Sequence, residues 1–336
     1  MKQKHYTIPI FIPELACPFQ CVFCNQKKIS GQLKVPSEHE IIKTIEEHLS
    51  TINYINNEVE VGFFGGNFTG IPLKEQEKFL QLTQPFIRQG KIKSIRLSTR
   101  PDYITKNILD LLSSYHVETI ELGAQSMDEE VLKQSKRGHT AKQTEEAASL
   151  IRENGFRLGL QMMIGLPADT PEKSLFTAKK IVELQADDAR IYPCLVIRGT
   201  KLADWYQEGS YQSPGLEETV EWTKAVYLEL EKGGVNIIRT GLHPSESLSN
   251  QKDLLAGPYH PSFKELVMTA IWTEILKPLM KKHYRRRVKI HVPACEVHFA
   301  IGHASKNKKA LLEHYDEVKI LGDEGMKRRK FFVDYF

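Results

Sequence analysis

The sequence predicts an α/β fold built on a parallel sheet, and three observations carry that reading. Short β-rich runs alternate with helical stretches, the pattern of βα units. Polar residues gather just after the strand ends, at Gly65-Gly66-Asn67, Ser98-Thr99-Arg100, Gln125-Ser126, Gly165-Leu166-Pro167 and Tyr192-Pro193. In an open or closed parallel barrel that edge is where ligands bind. No G-x-G-x-x-G follows the first strand, which argues against a dinucleotide fold.

IPIFIP (8–13) is the first strand candidate, and a cysteine-rich loop follows it. Pro36 and Ser37 open a helix to about Leu49, with Ser37 as N-cap and Glu40 completing a capping box. VEVGFF (59–64) is the second strand, with a helix over 73–88. KSIRLST (93–99) is the third, followed by a helix from Asp102 to Ser114. VETIELGAQS (117–126) is the fourth, followed by helical sequence to Glu153. Phe156 to Leu166 is the fifth, with a helix from Thr170 to Leu184, and DDARIYPCLV (187–196) is the sixth. Residues 197–260 are less regular, with an amphipathic helix from Leu216 to Lys232 and a strand at VNIIRTG (235–241). A helix from Phe263 to His283, a strand RRVKIHVP (286–293), a helix near Lys306 to Tyr315 and a last strand EVKIL (317–321) read as a small α/β cap. This divides the chain into 1–261 and a basic cap, 262–336.

The 336 residues suit about two domains, or one large barrel with an extension. With 41% apolar and 26% charged residues the chain is neither disordered, collagen-like nor a disulfide mini-scaffold. No apolar run approaches the roughly 18 residues that cross a bilayer. The N-terminal lysines and apolar stretch are broken by Pro9 and Pro13 and lack a small-residue cleavage site, so they read as a buried strand of a cytoplasmic protein. Net charge is only +4, but residues 277–330 hold 15 Lys or Arg against 6 Asp or Glu, a balance of +9. That concentration points to a polyanionic partner or to a solvated face.

Of five cysteines, Cys17, Cys21 and Cys24 fall within eight residues as C-x3-C-x2-C. An odd number without an export signal argues against a disulfide framework. Three thiolates on a compact loop can hold three irons of a four-iron cluster and leave the fourth open to a ligand. Zinc is the rival, needing a fourth ligand such as His5 or Cys194 to close the site. Phe19 and Phe23 would shield such a cluster, and one of them can flank an adenine ring. Cys194 reads as a redox thiol or a packed small hydrophobe, and Cys295 as a packed one. His243, His260, His291, His298 and His303 match no standard metal-ligand spacing.

The cysteine loop after the first strand, with the strand-end motifs in order behind it, resembles the radical S-adenosylmethionine (SAM) superfamily. CVFCNQKKISG, FFGGNFTGI, LSTRPDYI, ELGAQSMDEEVLKQSKRGHT and MMIGLP resemble the radical-SAM half of the Elongator catalytic subunit, and more distantly oxygen-independent coproporphyrinogen oxidase. The likeness covers about residues 6–195 and weakens to about 265. It implies a partial (β/α)6 TIM-like barrel, a 4Fe-4S cluster on Cys17, Cys21 and Cys24, and S-adenosyl-L-methionine chelated to the open iron. By the same resemblance Phe23, Gly65, Gly66, Asn67, Ser98, Gln125, Arg137 and Gln161 bind SAM. Asn67 stands where an acidic residue or Thr is usual, and a guanidinium such as Arg137 suits the SAM carboxylate.

The resemblance and the basic tail together imply an RNA substrate, tRNA, and an electron donor such as flavodoxin or ferredoxin. Arg285, Arg286 and Arg287 in KKHYRRRVKIH (281–291) are the nucleic-acid candidates; otherwise this run is a basic helix end favoured by the macrodipole. Only about 75 residues follow Ser262, too few for the Elongator acetyltransferase domain, so that reaction needs a partner protein or a different substrate. A tetrapyrrole or other small molecule is the alternative substrate, and a metal-stapled RNA-binding module the non-enzymatic alternative.

Overall fold

The structure, a computed structural model, describes residues 4–13, 21–25, 34–242, 252–281 and 284–336, with backbone alone at 284–286. Seven parallel strands lie side by side in chain order: β1 (His5–Ile12), β2 (Glu58–Gly65), β3 (Ser94–Thr99), β4 (Val117–Gln125), β5 (Arg157–Ile164), β6 (Asp188–Pro193) and β7 (Asn236–Thr240). They curl into a half-barrel, the expected architecture, which β7 extends by a seventh strand paired with β6. The connecting helices are α1 (Glu38–Thr51), α2 (Leu73–Arg88), α3 (Lys106–Ser114), α4 (Glu129–Gln134), α5 (Ala141–Glu153), α6 (Pro171–Glu183), α7 (Lys201–Gln207) and α8 (Leu216–Lys232). Ser37 caps α1 through the anticipated box, its hydroxyl accepting from the Glu40 amide and the Glu40 carboxylate accepting from the Ser37 amide.

The strands alternate strictly. Ile8, Ile10, Val59, Val61, Ile95, Leu97, Ile120, Leu122, Leu158, Leu160 and Ile191 face the helices in one apolar core. The residues between them face the barrel interior and are largely polar: Glu60, Arg96, Ser98, Glu121, Gln161, Arg190 and Tyr192. Parallel strands covered on both faces are usually apolar throughout, so this alternation marks a polar lumen.

A second, smaller sheet holds β8 (Tyr284–Pro293) between β9 (Tyr315–Asp323) and β10 (Phe332–Tyr335). α9 (Phe263–Leu276) lies between the two sheets, with Val267, Met268 and Ile271 in the barrel core and Trp272 and Leu276 in the cap core. Short helices α10 (Val297–Ile301) and α11 (Lys306–Leu312) complete the cap.

Several boundaries differ from the sequence reading. The helix expected from Asp102 begins at Lys106, capped by the Thr105 hydroxyl, after a 3-10 turn at Pro101–Tyr103. The one expected to reach His283 ends at Leu276, where Pro278 cannot continue the hydrogen-bond ladder. Residues 284–293 form a strand, so Arg285 to Arg287 do not belong to a helix end. β10 was not anticipated, and EVKIL is not the last strand.

Candidate active site

Cys21 and Cys24 sit just beyond the C-terminal end of β1, joined by a turn in which the Cys24 amide donates to the Cys21 carbonyl at 3.0 Å. Two more backbone bonds hold the loop: the Val22 amide donates to the Ser135 carbonyl at 3.1 Å, and the Val22 carbonyl accepts from the Leu202 amide at 2.8 Å. Val22 and Phe23 pack with Val131, Leu166, Val196, Leu202 and Tyr211, an apolar cushion under the thiols. Cys21 is buried and Cys24 partly exposed, and neither is in a disulfide. Cys17, Phe19 and His243 lie outside the described residues.

The strand ends converge on this loop. A guanidinium N–H of Arg137 lies 3.6 Å from the Cys21 sulfur, and another donates to the Gly123 carbonyl at 2.7 Å. The Arg137 Nε is buried and has no hydrogen-bond partner among the described residues, so this cation is aimed at the loop with donor capacity to spare. A bulge between Gly123 and Gln125 puts Gln125 at φ +65, a left-handed backbone that costs roughly 1–3 kcal/mol and concentrates at functional sites. Its carboxamide oxygen accepts from Gln161 Nε2 at 3.2 Å, bringing two candidate contacts together. Ser98 donates to Glu121 at 3.4 Å inside the lumen. Asn67 instead turns into the strand ends, its oxygen accepting from the Thr99 hydroxyl at 2.7 Å and the Arg100 amide at 3.3 Å. Gly65 has φ +130, and a Cβ there would stand 2.0 Å from the Ile12 carbonyl, so only glycine lets β2 approach the root of the cysteine loop.

Beneath this rim the lumen holds an ion network. Arg96 donates to Glu60 (2.8 Å), Glu121 (2.6 Å) and Asp188 (3.0 Å), and Arg190 holds Glu121 with two bonds of 2.7 and 3.0 Å. Burial opposes the charge on Glu60, but His5, Arg96 and Thr7 outweigh it and hold the carboxyl at about 2. His139 was not singled out in the sequence, although it lies in the RGHT run beside Arg137. Burial, and then the charges of Arg137 and Arg100, push its imidazole down to about 3, so it is neutral near pH 7.

The described part of the cysteine motif is compatible with metal ligation. Two thiols lie on a loop pinned by backbone bonds, with a cation beside one sulfur and a glycine-made approach at its root. The suggested fourth zinc ligands do not fit. His5 begins β1, at the opposite end from the loop, and pairs with Glu60. Cys194 is wholly buried in the apolar cushion beside Tyr211, its thiol pushed by burial up to about 12, which makes it a packed side chain and not a redox thiol. Cys295, expected to be packed, is exposed on the turn after β8. A cleft of about 720 Å³ lies off the lumen, lined by Pro167, Asp169, Trp205, Tyr211 and Trp222 among others. Among the described residues no helix is long and apolar enough to cross a membrane.

Comparison with known proteins agrees with this geometry. The pattern of the radical SAM superfamily matches residues 12–181, and that of the radical SAM C-terminal domain matches 186–272. The chain belongs to the radical SAM superfamily, a class of enzymes. Its homologues include Elongator-type proteins. It is 27% identical over 195 residues to the tRNA uridine(34) acetyltransferase of Methanocaldococcus infernus, covering 52% of this chain and 36% of that one. It is 29% identical over 187 residues to Elongator complex protein 3 of Saccharomyces cerevisiae, covering 50% and 34%. The chain thus spans about a third of the length of these relatives. Among solved structures, the archaeal Elp3 of M. infernus with an N-terminal deletion superposes with a TM-score of 0.65 at 19% identity, over 82% of this chain and 64% of that one.

Proposed function

We infer that this protein is a radical SAM enzyme that modifies tRNA. The observation that carries the reading is the convergence on one rim of Cys21, Cys24, Arg137 and the Gln125–Gln161 pair, above a polar lumen. Cys17, Cys21 and Cys24 would hold a 4Fe-4S cluster. When bound, the cluster and S-adenosylmethionine supply a one-electron reductive cleavage that yields a 5′-deoxyadenosyl radical. The chain's own residues bind and orient. Arg137 offers its guanidinium to the SAM carboxylate. The backbone at Gly65, Gly66 and Asn67 receives the amino group, while the Asn67 side chain braces the strand ends, and Phe23, Ser98, Gln125 and Gln161 complete the SAM surface. The apolar cushion around Val22 and Leu202 shields the buried Cys21 side of the loop from water. Support for tRNA comes from the names of the relatives and from the basic cap. A flavodoxin or ferredoxin in the reducing cytosol would supply the electron.

Anaerobic reconstitution tests the first half. About four irons per chain and SAM-dependent release of 5′-deoxyadenosine are expected, with both lost in Cys17→Ala, Cys21→Ala and Cys24→Ala and both kept in Cys194→Ala and Cys295→Ala. One tightly bound zinc and no turnover of SAM would sink the assignment. Nucleoside profiling of tRNA from a strain lacking the gene tests the second half. An unchanged tRNA profile with an accumulating tetrapyrrole would move the substrate to the small-molecule class.

A further inference from the structure

The cap sheet presents an open face that neither the barrel nor its helices cover. Alternation decides the faces: Val288, Ile290 and Val292 of β8 are fully buried in the cap core, so Arg287, Lys289 and His291 point the other way. Register carries that outer face across the sheet, with Arg287 opposite Glu317, Lys289 opposite Lys319 and Asp334, and His291 opposite Leu321 and Phe332. Leu321, Phe332 and Phe336 on this face are 39%, 43% and 47% exposed, a concentration of large apolar side chains that a solvated surface does not need.

The face interleaves rings with cations. The His291 ring lies flat on Phe332, centroids 4.3 Å apart with 5° between planes. The ammonium groups of Lys289 and Lys319 stand 4.6 and 5.4 Å from the centre of the Phe336 ring. Lys327, Arg328 and Lys330 are exposed on the turn between β9 and β10, and Arg329 ties that turn to Glu231 of α8 at 2.9 Å. The acidic groups among them are themselves engaged: Glu317 with Arg287 and Lys319, Asp334 with His291. A protein–protein interface is depleted of Lys at its apolar centre, whereas a sheet face with exposed rings and Lys or Arg beside them suits unpaired bases and their phosphates. On the face itself Arg287, Lys289 and Lys319 stand against Glu317 and Asp334, and the exposed Lys327, Arg328 and Lys330 beside it add positive charge that complements a polyanion.

We propose that this face is a stacking platform for a single-stranded segment of RNA, with Phe332 and Phe336 receiving bases and Arg287, Lys289 and Lys319 meeting phosphates. The proposal rests on the RNA half of the function above and adds its surface. The test uses the full chain and a fluorescein-labelled oligouridylate of about twelve nucleotides, followed by anisotropy. Phe332→Ala should weaken binding roughly five- to hundredfold, the range found for losing one base–aromatic stack. The double variant Lys289→Gln, Lys319→Gln should lower the slope of log affinity against log salt by roughly 1.4, about 0.7 for each phosphate contact of a single strand. SAM cleavage without RNA and the melting temperature should be unchanged in both. If the wild type binds the oligonucleotide and both variants bind it equally with the same slope, the platform is refuted while the RNA reading stands. If the wild type binds neither the oligonucleotide nor bulk tRNA, the RNA reading falls and the platform with it. Phe332-dependent capture on phosphatidylserine vesicles, or Phe332-dependent dimerisation, in a protein that binds no RNA would likewise overturn it.

Discussion

Replacing Arg96 by Met tests whether the lumen network holds the barrel together. The substitution keeps a long side chain and removes one guanidinium shared by three carboxylates whose side chains are almost wholly buried. None is left bare: Glu60 keeps Thr7 at 2.6 Å, Glu121 keeps Arg190, and Asp188 keeps Asn236 at 2.9 Å. The cost is therefore that of breaking one buried network, about 3–5 kcal/mol, and not three times that. Against a total stability of about 5–15 kcal/mol, the variant should fold but melt roughly 4–7 °C lower, since the unfolding entropy of a chain this long is about 0.7 kcal/mol/K.

The deficit has a sign in pH. Folding holds the Glu60 carboxyl at about 2 against an ordinary 4.5, so its contribution is present above about 4.5 and is lost as pH falls toward 2. Without Arg96 the folded carboxyl titrates higher, and that contribution shrinks. Urea titrations followed by circular dichroism should show the largest gap between wild type and Arg96→Met above pH 5, narrowing toward pH 3. Equal stability at pH 7, or a gap that stays constant down to pH 3, would refute the reasoning.

Three shorter predictions concern the rim and the two cysteines outside the motif. Arg137→Ala should weaken SAM binding tenfold to a hundredfold, the worth of a charge-assisted hydrogen bond at roughly 1.5–3 kcal/mol, with iron content unchanged; equilibrium dialysis at wild-type affinity would make the residue structural. Gly65→Ala forces a Cβ against the Ile12 carbonyl and should lower both melting temperature and iron retention, so a variant matching wild type in both would discount the close approach. Alkylation of native protein followed by mass spectrometry should modify the exposed Cys295 readily and Cys194 only after denaturation, and early labelling of Cys194 would contradict its burial.

Much of the barrel was legible because most strands end in polar or glycine punctuation and several helices carry side-chain caps, at Ser37, Thr105, Asp128, Thr140 and Thr170. Ser37 with Glu40, and the break after Gly65-Gly66, needed no tertiary information. Charge pairing was not legible in the same way. Glu60, Arg96, Glu121 and Asp188 are up to 128 residues apart and meet only because the sheet curls. The signal behind them was local, since VEVG, IRLS and IELG alternate apolar with polar or small residues. In a parallel sheet that period means a polar inner face. The cap was misread where punctuation was weak. FFVDYF holds a strand that shows itself only when β8 supplies a neighbour, whereas RRVKIHVP, read as a strand over 286–293, lies in the strand Tyr284–Pro293. For the rim, spacing could point to Arg137 and Gln125 only through family likeness; their meeting with Cys21 and Gln161 depends on a bulge that no periodicity announces.

The helix that joins barrel and cap holds the two together. Val267, Met268 and Ile271 of α9 are buried in the barrel core, while Trp272 and Leu276, little more than a turn further on, are buried in the cap core. The same helix is stitched to the cap by polar bonds: the Thr269 hydroxyl accepts from the His303 amide at 2.8 Å, Thr273 bonds Asn307 at 2.6 Å, and the Trp272 indole donates to Glu296 at 3.1 Å. A hinge needs a segment whose dihedrals can change without breaking buried contacts. Here the connection is a continuous helix buried at both ends, and Arg329 adds an ion pair from the cap turn to α8. The cap is therefore packed against the barrel through α9 and α8, with buried contacts that any displacement between them would have to break.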